Sequence, residues 1–274
     1  MGGSHTVAMT ATMQRGIAFV RAPSSRLAEG LLTHLVRTPV DVDLARTQHR
    51  AYCEALTAAG WSVREVAAAD DCPDSVFVED TVVICGPVAV ITRPGAKERR
   101  PETDGTEAAV RAAGLDPVHI REPGTLDGGD VLQVGTTVYV GRGGRTNAEG
   151  IRQLRQHLAA AGRTVVPVRL HEVLHLKSAV TALPDGTFLA LPEKLDASVF
   201  PTLRAVDEEA GAHVVPLGDD LVLMAASAPR TAEQLADLGF TPVVVDISEF
   251  EKLEGCVTCL SVLLPRQEPT PAAR

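Results

Sequence analysis

The stretch AEGIRQLRQHLAAAGRTVVPV, residues 148–168, holds the unit from which the fold is read. Helical periodicity runs over 148–161, Gly162 stands just past its end, and the β-branched run 164–168 follows directly. Glycine at that place relieves the left-handed conformation in which helices commonly stop. The pattern predicts further helices at 44–59, 106–113, 200–210 and 232–238, each ending at a glycine (Gly60, Gly114, Gly211, Gly239). Strands at 62–66, 118–120, 213–215 and 242–246 follow them. Other predicted strands lie at 82–84, 88–92, 131–134, 138–140, 179–183, 187–191 and 221–224. Lone strands at 17–20 and 260–264 begin and end the series. The unit is therefore one helix with two or three strands, repeated about five times, as a repeat architecture requires if several units are to bury one continuous core. The two terminal strands would complete a shared unit and close a ring. An open two-lobed α/β sheet is the alternative, but plain β-α-β alternation fits the multi-strand runs poorly.

Length allows one large domain or two small ones, and the repeat favours one closed domain over 17–264. Residues 1–16 are expected to form a disordered leading segment and 265–274 a flexible tail. The chain of 274 residues carries 26 basic and 35 acidic residues, a net charge of −9, with 45% hydrophobic residues. That composition excludes a disordered chain and argues against a nucleic-acid partner. Six Phe, one Trp and two Tyr are too few for a base-stacking platform. An acidic surface suits a small cationic ligand. No apolar run is long enough to span a bilayer, so no membrane partner is expected. The five cysteines form an odd set without a secretory leader, which points to reduced thiols and a cytoplasmic setting. A homo-oligomer is compatible with these features.

Several motifs carry chemistry. HEVLH at 171–175 matches the zinc-hydrolase pattern, which needs a helix to set both histidines on one face, yet the segment leads into a hairpin. Cys256 and Cys259 form a CxxC, read either as a buried pair or as one nucleophile with a neighbour. Cys53 and Cys85 read as core, and Cys72 flanks an acidic loop. LDGGD at 126–130 places two carboxylates around paired glycines, which is turn chemistry or a close approach to a ligand. Glu79 and Asp80 interrupt an apolar run, so at least one is buried or lines a pocket; an internal ion pair to arginine is the structural alternative. Arg93, Arg99, Arg100, Arg142 and Arg145 lie in glycine-rich loops.

Taken in order, DSVFVED (74–80), LDGGD (126–130), RTN (145–147), HLKS (175–178) and GCVTCLSV (255–262) resemble the dimethylarginine dimethylaminohydrolases, relatives of arginine deiminase in the guanidino-group modifying superfamily. The resemblance runs from about residue 17 to 264. It implies a five-bladed α/β propeller, or pentein, and hydrolysis of methylated arginine to citrulline and a methylamine through a covalent thiouronium. By the same resemblance Cys259 is the nucleophile, His175 the general acid/base and Asp127 its orienting carboxylate. Asp74, Glu79 and Asp80 would meet the substrate's cationic groups, and Arg99 and Arg145 its carboxylate. Pro23, in a loop at 21–25 where the family has a mobile flap, and Glu254 complete the implied substrate-binding set. No metal or cofactor is implied. Arginine deiminase, or another guanidine hydrolase on the same scaffold, is the nearest alternative. A zinc peptidase built on residues 171–175, or a non-catalytic binder of cationic ligands, stands further off.

Overall fold

Local chemistry starts and stops each helix. The computed structural model of the chain describes residues 14–266. It contains α1 (Val42–Ala58), α2 (Thr103–Ala112), α3 (Ala148–Ala159), α4 (Pro229–Asp237) and the short α5 (Ser248–Glu251). Asp41 caps α1 by accepting from the Asp43 and Leu44 N–H groups at 3.0 Å, and Asn147 caps α3 through Gly150 at 2.8 Å. Beyond α1 to α4, Gly60, Gly114, Gly162 and Gly239 take φ of 91°, 90°, 66° and 90°, a region glycine enters without strain.

The strands are β1 (Gly16–Val20), β2 (Trp61–Glu65), β3 (Val82–Cys85), β4 (Val88–Ile91), β5 (Val118–His119), β6 (Val131–Val134), β7 (Thr137–Arg142), β8 (Thr164–Arg169), β9 (Val180–Ala182), β10 (Phe188–Ala190), β11 (Leu203–Ala205), β12 (Val214–Gly218), β13 (Leu221–Ala225), β14 (Thr241–Val245) and β15 (Val262–Pro265). They form five three-stranded sheets, ordered β15-β1-β2, β3-β4-β5, β6-β7-β8, β9-β10-β11 and β12-β13-β14. In each, the first pair is antiparallel and the second parallel, and the parallel step needs a crossover, supplied by α1, α2, α3 and α4 in four sheets. The sheet β15-β1-β2 is closed by the first and last strands described, since β15 pairs with β1 from Gly16↔Pro265 to Phe19↔Val262, and β9-β10-β11 is the sheet without a crossover helix. This is the five-bladed α/β propeller. Of the residues expected to lie outside the fold, 1–13 and 267–274 are outside those described, whereas Gly16 and Pro265 are strand residues.

The helix expected at 200–210 is absent. Phe200 precedes Pro201, which disfavours the helical region for the residue before it, and Phe200 is extended at φ −101°, ψ 125°. Its ring packs 4.9 Å from Tyr139 and 4.8 Å from Phe188, within one buried cluster. The crossover from β10 to β11 uses two short 3-10 turns instead, Pro192–Lys194 and Ala197–Val199.

The leading strands β3, β6, β9, β12 and β15 surround a central channel of about 610 Å³, to which Val83, Leu132, Thr181, Val215 and Val262 contribute one wall each. Because each leading strand plays the same part in its sheet, the turns preceding these strands converge at one end of the channel. Among the described residues, no helix is long and apolar enough to cross a membrane.

Candidate active site

The converging turns carry the chemistry. The 3-10 turn Val78–Thr81 precedes β3, Gly128–Asp130 precedes β6, Leu176–Ser178 precedes β9, and the turn at 256–259 precedes β15. Asp80, Asp127, His175 and Cys259 therefore come from four different sheets to one place.

His175 is 2% exposed, and its Nε2 lies 2.9 Å from Asp127 Oδ2. Asp127 is itself held, with Gly95 N–H donating to its Oδ1 at 2.8 Å and its own N–H donating to Thr146 Oγ1 at 3.1 Å. On the other edge of the ring, Nδ1 lies 3.8 Å from Asp80 Oδ1. Asp80 also accepts from Gly129 N–H at 2.9 Å and pairs with Arg99 Nη1 at 2.5 Å. A Cβ at position 129 would stand 2.7 Å from His175 Nδ1 and 2.8 Å from Asp80 Oδ1, so glycine alone permits this approach. Asp130 fixes the next residue, its Oδ1 accepting from Leu176 N–H at 2.9 Å.

Burial opposes a charged imidazole, but Asp80, Asp127 and Asp130 overwhelm it and hold His175 at about 9. Asp80 is driven the other way: burial would raise it, yet His175 and Arg99 hold it well below the usual carboxylate range. Burial lifts Asp130 to about 6. Cys259 is raised by its hydrogen bond with Cys256, by burial, and by the nearby Glu79 and Asp80 carboxylates.

Cys259, His175, Asp74, Asp80, Arg99, Arg145 and Glu254 all line one small pit of about 20 Å³, little more than a water molecule needs. Both oxygens of Asp74 accept from Leu31 N–H at 3.1 Å, and burial raises this carboxyl against the pull of Arg99. Arg99 is 5% exposed and spends most of its donors internally, on Glu102, Asp80 and the carbonyls of Asp74 and Phe77. One Nη1 hydrogen is left without an acceptor among the described residues. Arg145, half-buried, donates to Thr33 Oγ1 at 3.1 Å.

Three expected substrate-binding residues sit differently. Pro23 borders a separate cleft with His49, Arg50 and Cys53. Its loop is pinned, because the buried Arg21 donates to Ala67 O at 3.0 Å and Glu102 O at 2.8 Å, and Ser24 Oγ donates to Asp70 O at 2.9 Å. Glu79 lines the central channel rather than the pit, paired with Lys177 Nζ at 2.5 Å and accepting from Thr258 Oγ1 at 2.9 Å. Glu254 reaches the pit wall, but its carboxylate accepts from the N–H groups of Thr33, His34 and Leu35 at 2.8, 2.5 and 2.9 Å. The loop 31–35 thus borders the pit, through Leu31 in its lining and through hydrogen bonds to Glu254 and Arg145. Leu31, Lys177, Thr146 and Gly95 had no assigned part; of these only Lys177, a lone cation inside HLKS, carried a readable signal.

The zinc-peptidase geometry is not met. His171 is exposed while His175 is buried, Glu172 has φ 50°, and no helix joins them. Ligand atoms of Asp80, Asp127 and His175 do lie within 4.8 Å of one another. Arg99 and Gly129 already occupy Asp80, as Gly95 and His175 occupy Asp127, so these groups fit an ion-paired hydrogen-bond network better than a cation cage.

The family model for arginine deiminase matches residues 11–219. The N(G),N(G)-dimethylarginine dimethylaminohydrolase of Streptomyces coelicolor is 62% identical over 90% of this chain and 96% of its own length. The chain belongs to the dimethylarginine dimethylaminohydrolases of the arginine deiminase family. The Pseudomonas aeruginosa member of that family is 38% identical over 88% of this chain and 96% of its own. A dimethylarginine dimethylaminohydrolase adduct with S-methyl-L-thiocitrulline superposes with a TM-score of 0.85 at 35% identity, covering 92% of this chain and all of that one. The Pseudomonas aeruginosa enzyme complexed with citrulline gives 0.84 at the same identity and coverage.

Proposed function

We propose that the protein hydrolyses Nω-methylated arginine to citrulline and a methylamine by covalent thiol catalysis. The observation that carries this is the convergence of Cys259, the His175–Asp127 pair and the carboxylates of Asp74 and Asp80 on one buried pit. A guanidinium carbon is a poor electrophile, and a thiolate is a stronger nucleophile than a hydroxyl. With the pit empty, Cys259 holds its proton; a guanidinium set between Asp74 and Asp80 brings the opposite charge that lowers the thiol. The thiolate adds to the guanidinium carbon. His175, kept protonated at neutral pH by its carboxylates, gives its proton to the departing dimethylamine and leaves the thiouronium. As a neutral base it then takes a proton from water, which adds to the same carbon and releases citrulline and the thiol. Arg145 supplies a donor for the substrate carboxylate, while Arg99, spent on Asp80 and Glu102, holds Asp80 in place beside the guanidinium. The pit is too small for an arginine-sized molecule, so the loop 31–35 opens to admit it.

Citrulline release from dimethylarginine by the wild type and Cys259→Ser tests the reading. The variant should lose at least about 10³-fold in kcat, and equal activity would sink the mechanism. Ammonia release from unmethylated arginine at higher kcat/KM would select the arginine deiminase reading instead.

A further inference from the structure

Beside the proposed nucleophile lies a second sulfur that the reaction does not use. Cys256 Sγ stands 3.4 Å from Cys259 Sγ, and Cys259 N–H donates to Cys256 O at 3.1 Å, closing a β-turn. Such a turn holds its first and last Cα atoms within about 7 Å, and disulfides span Cα separations of about 4.4–6.8 Å. The sulfurs need to approach by only about 1.4 Å to reach bonding distance. Cys53, Cys72 and Cys85 have different neighbours, namely His49, the Glu98 carbonyl and Arg163.

The two sulfurs also face different spaces. Cys259 lines the pit, whereas Cys256 lines a second cleft of about 400 Å³ with His213, Ser178 and Ser227. Glu254 and Gly255 border both, so a bound substrate would cover Cys259 and leave the other cleft open. His213 occupies in its sheet the place before β12 that His175 occupies near β9, and its Nε2 meets Ser178 O at 2.9 Å. Thr258 Oγ1 lies 3.2 Å from Cys256 Sγ. The hydrogen bond from Cys259, with His213 nearby and with the Thr258 backbone N–H, favours the thiolate at Cys256 against the effect of burial.

We infer that Cys256 and Cys259 are a reversible disulfide site, reached by peroxide through the second cleft, whose closure switches off the enzyme. The Cys256 thiolate attacks hydrogen peroxide, the O–O bond breaks, and hydroxide leaves a sulfenic acid. Cys259 then displaces the sulfenic oxygen, which departs with its proton and the thiol proton as water. In sum two thiols are oxidised and one peroxide is reduced to two waters. A dithiol reverses the step by exchange, with both sulfurs returned as thiols.

The effect on activity rests on Cys259 being the nucleophile proposed above; the bond itself is read independently by mass. Purified enzyme is treated with equimolar hydrogen peroxide, then followed by intact mass, non-reducing peptide mapping and citrulline release, each protein scored against its own reduced form. The expected result is loss of two hydrogens, a Cys256–Cys259 cross-linked peptide, and at least about a tenfold fall in activity that dithiothreitol restores. Cys256→Ser, and Cys256→Ala in case the serine is poorly tolerated, should keep activity at that dose and lose no hydrogens. Added oxygen without a cross-link, equal inactivation of wild type and variants, or a cross-link to another cysteine would each overturn the inference. A Cys256–Cys259 bond with undiminished activity would support the bond and refute Cys259 as nucleophile.

Discussion

Glu79 and Asp80 are consecutive residues on one 3-10 turn, and they face opposite sides of the floor between the pit and the central channel. Asp80 lies on the pit side, against Arg99 and His175. Glu79 lies on the channel side, against Lys177 and Thr258. Both are buried, yet their ionisation diverges. Two cationic neighbours hold Asp80 far below the usual range, while burial outweighs Lys177 and lifts Glu79 to about 7. Burial alone does not set a carboxylate's state; the number of cations facing it decides.

The sharpest way to break this contrast is Asp80→Asn. It leaves Arg99 with one fewer buried counter-charge and removes the carboxylate nearest His175 Nδ1. Stability at pH 7 should fall by about 3–5 kcal/mol, and kcat/KM by about 10³-fold, read by denaturant titration and citrulline release. A depressed carboxylate stabilises above its unfolded pKa and loses that effect as pH falls below it, so the deficit should shrink in acid. A deficit unchanged at pH 3 would mean that Asp80 is not held charged by its partners.

Why one acid faces the pit and the other the channel was not legible in the chain. The carboxylates visibly interrupt an apolar run, which marks burial, but Lys177 lies 98 residues away and only folding brings it to Glu79. The same holds for the loop at 31–35, whose N–H groups are held by Glu254 from 219 to 221 residues away. The loop at 21–25 looked equally loop-like, and nothing local shows that Arg21 is buried beneath it. The repeat, by contrast, was legible because its signals are local: glycine stops after four helices and β-branched runs behind them. The exception at 200–210 is also local, since Pro201 follows Phe200 directly, but the helical spacing of the apolar residues masks it. The closed ring followed from counting units and the propeller from the family resemblance; which faces the turns present required the fold.

His175 provides the next test. Its pKa is raised to about 9, so its contribution is complete below its unfolded pKa of about 6.5 and is lost as pH rises through 9. Wild-type stability should therefore decline by roughly 3 kcal/mol on this account between pH 6.5 and 9.5. Asp80→Asn should flatten that decline, because the largest favourable charge on the imidazole is gone. Parallel curves for the two proteins would contradict the assigned pairing.

Glu79→Gln should do the reverse of Asp80→Asn. A raised carboxylate stabilises most below its unfolded pKa and loses that contribution as pH rises through about 7. Wild type and Glu79→Gln should match near pH 5, and the variant should be more stable by roughly 2–3 kcal/mol at pH 8, where only the wild type buries the charge. Lys177, half-buried at the channel wall, exchanges its ion-pair partner for the neutral oxygen of the glutamine in the variant. Since Glu79 does not line the pit, kcat should change less than about tenfold. A variant less stable than wild type at pH 8 would show that the ion pair outweighs burial.

The smallest expected effect belongs to Thr258→Val. Thr258 donates to Glu79 Oε2 at 2.9 Å, and valine keeps the shape while removing that hydrogen bond. The loss should be about 1 kcal/mol. Hydrogen bonds to a charged acceptor are roughly twice as strong as neutral ones, so the loss should be larger at pH 8, with Glu79 ionised, than at pH 5. Thermal melts at the two pH values measure this, and in a Glu79→Gln background the pH dependence of the Thr258→Val loss should vanish. If the loss is the same at both pH values in the wild-type background, the hydroxyl is not facing a titrating carboxylate, and the channel-side half of the contrast between Glu79 and Asp80 fails.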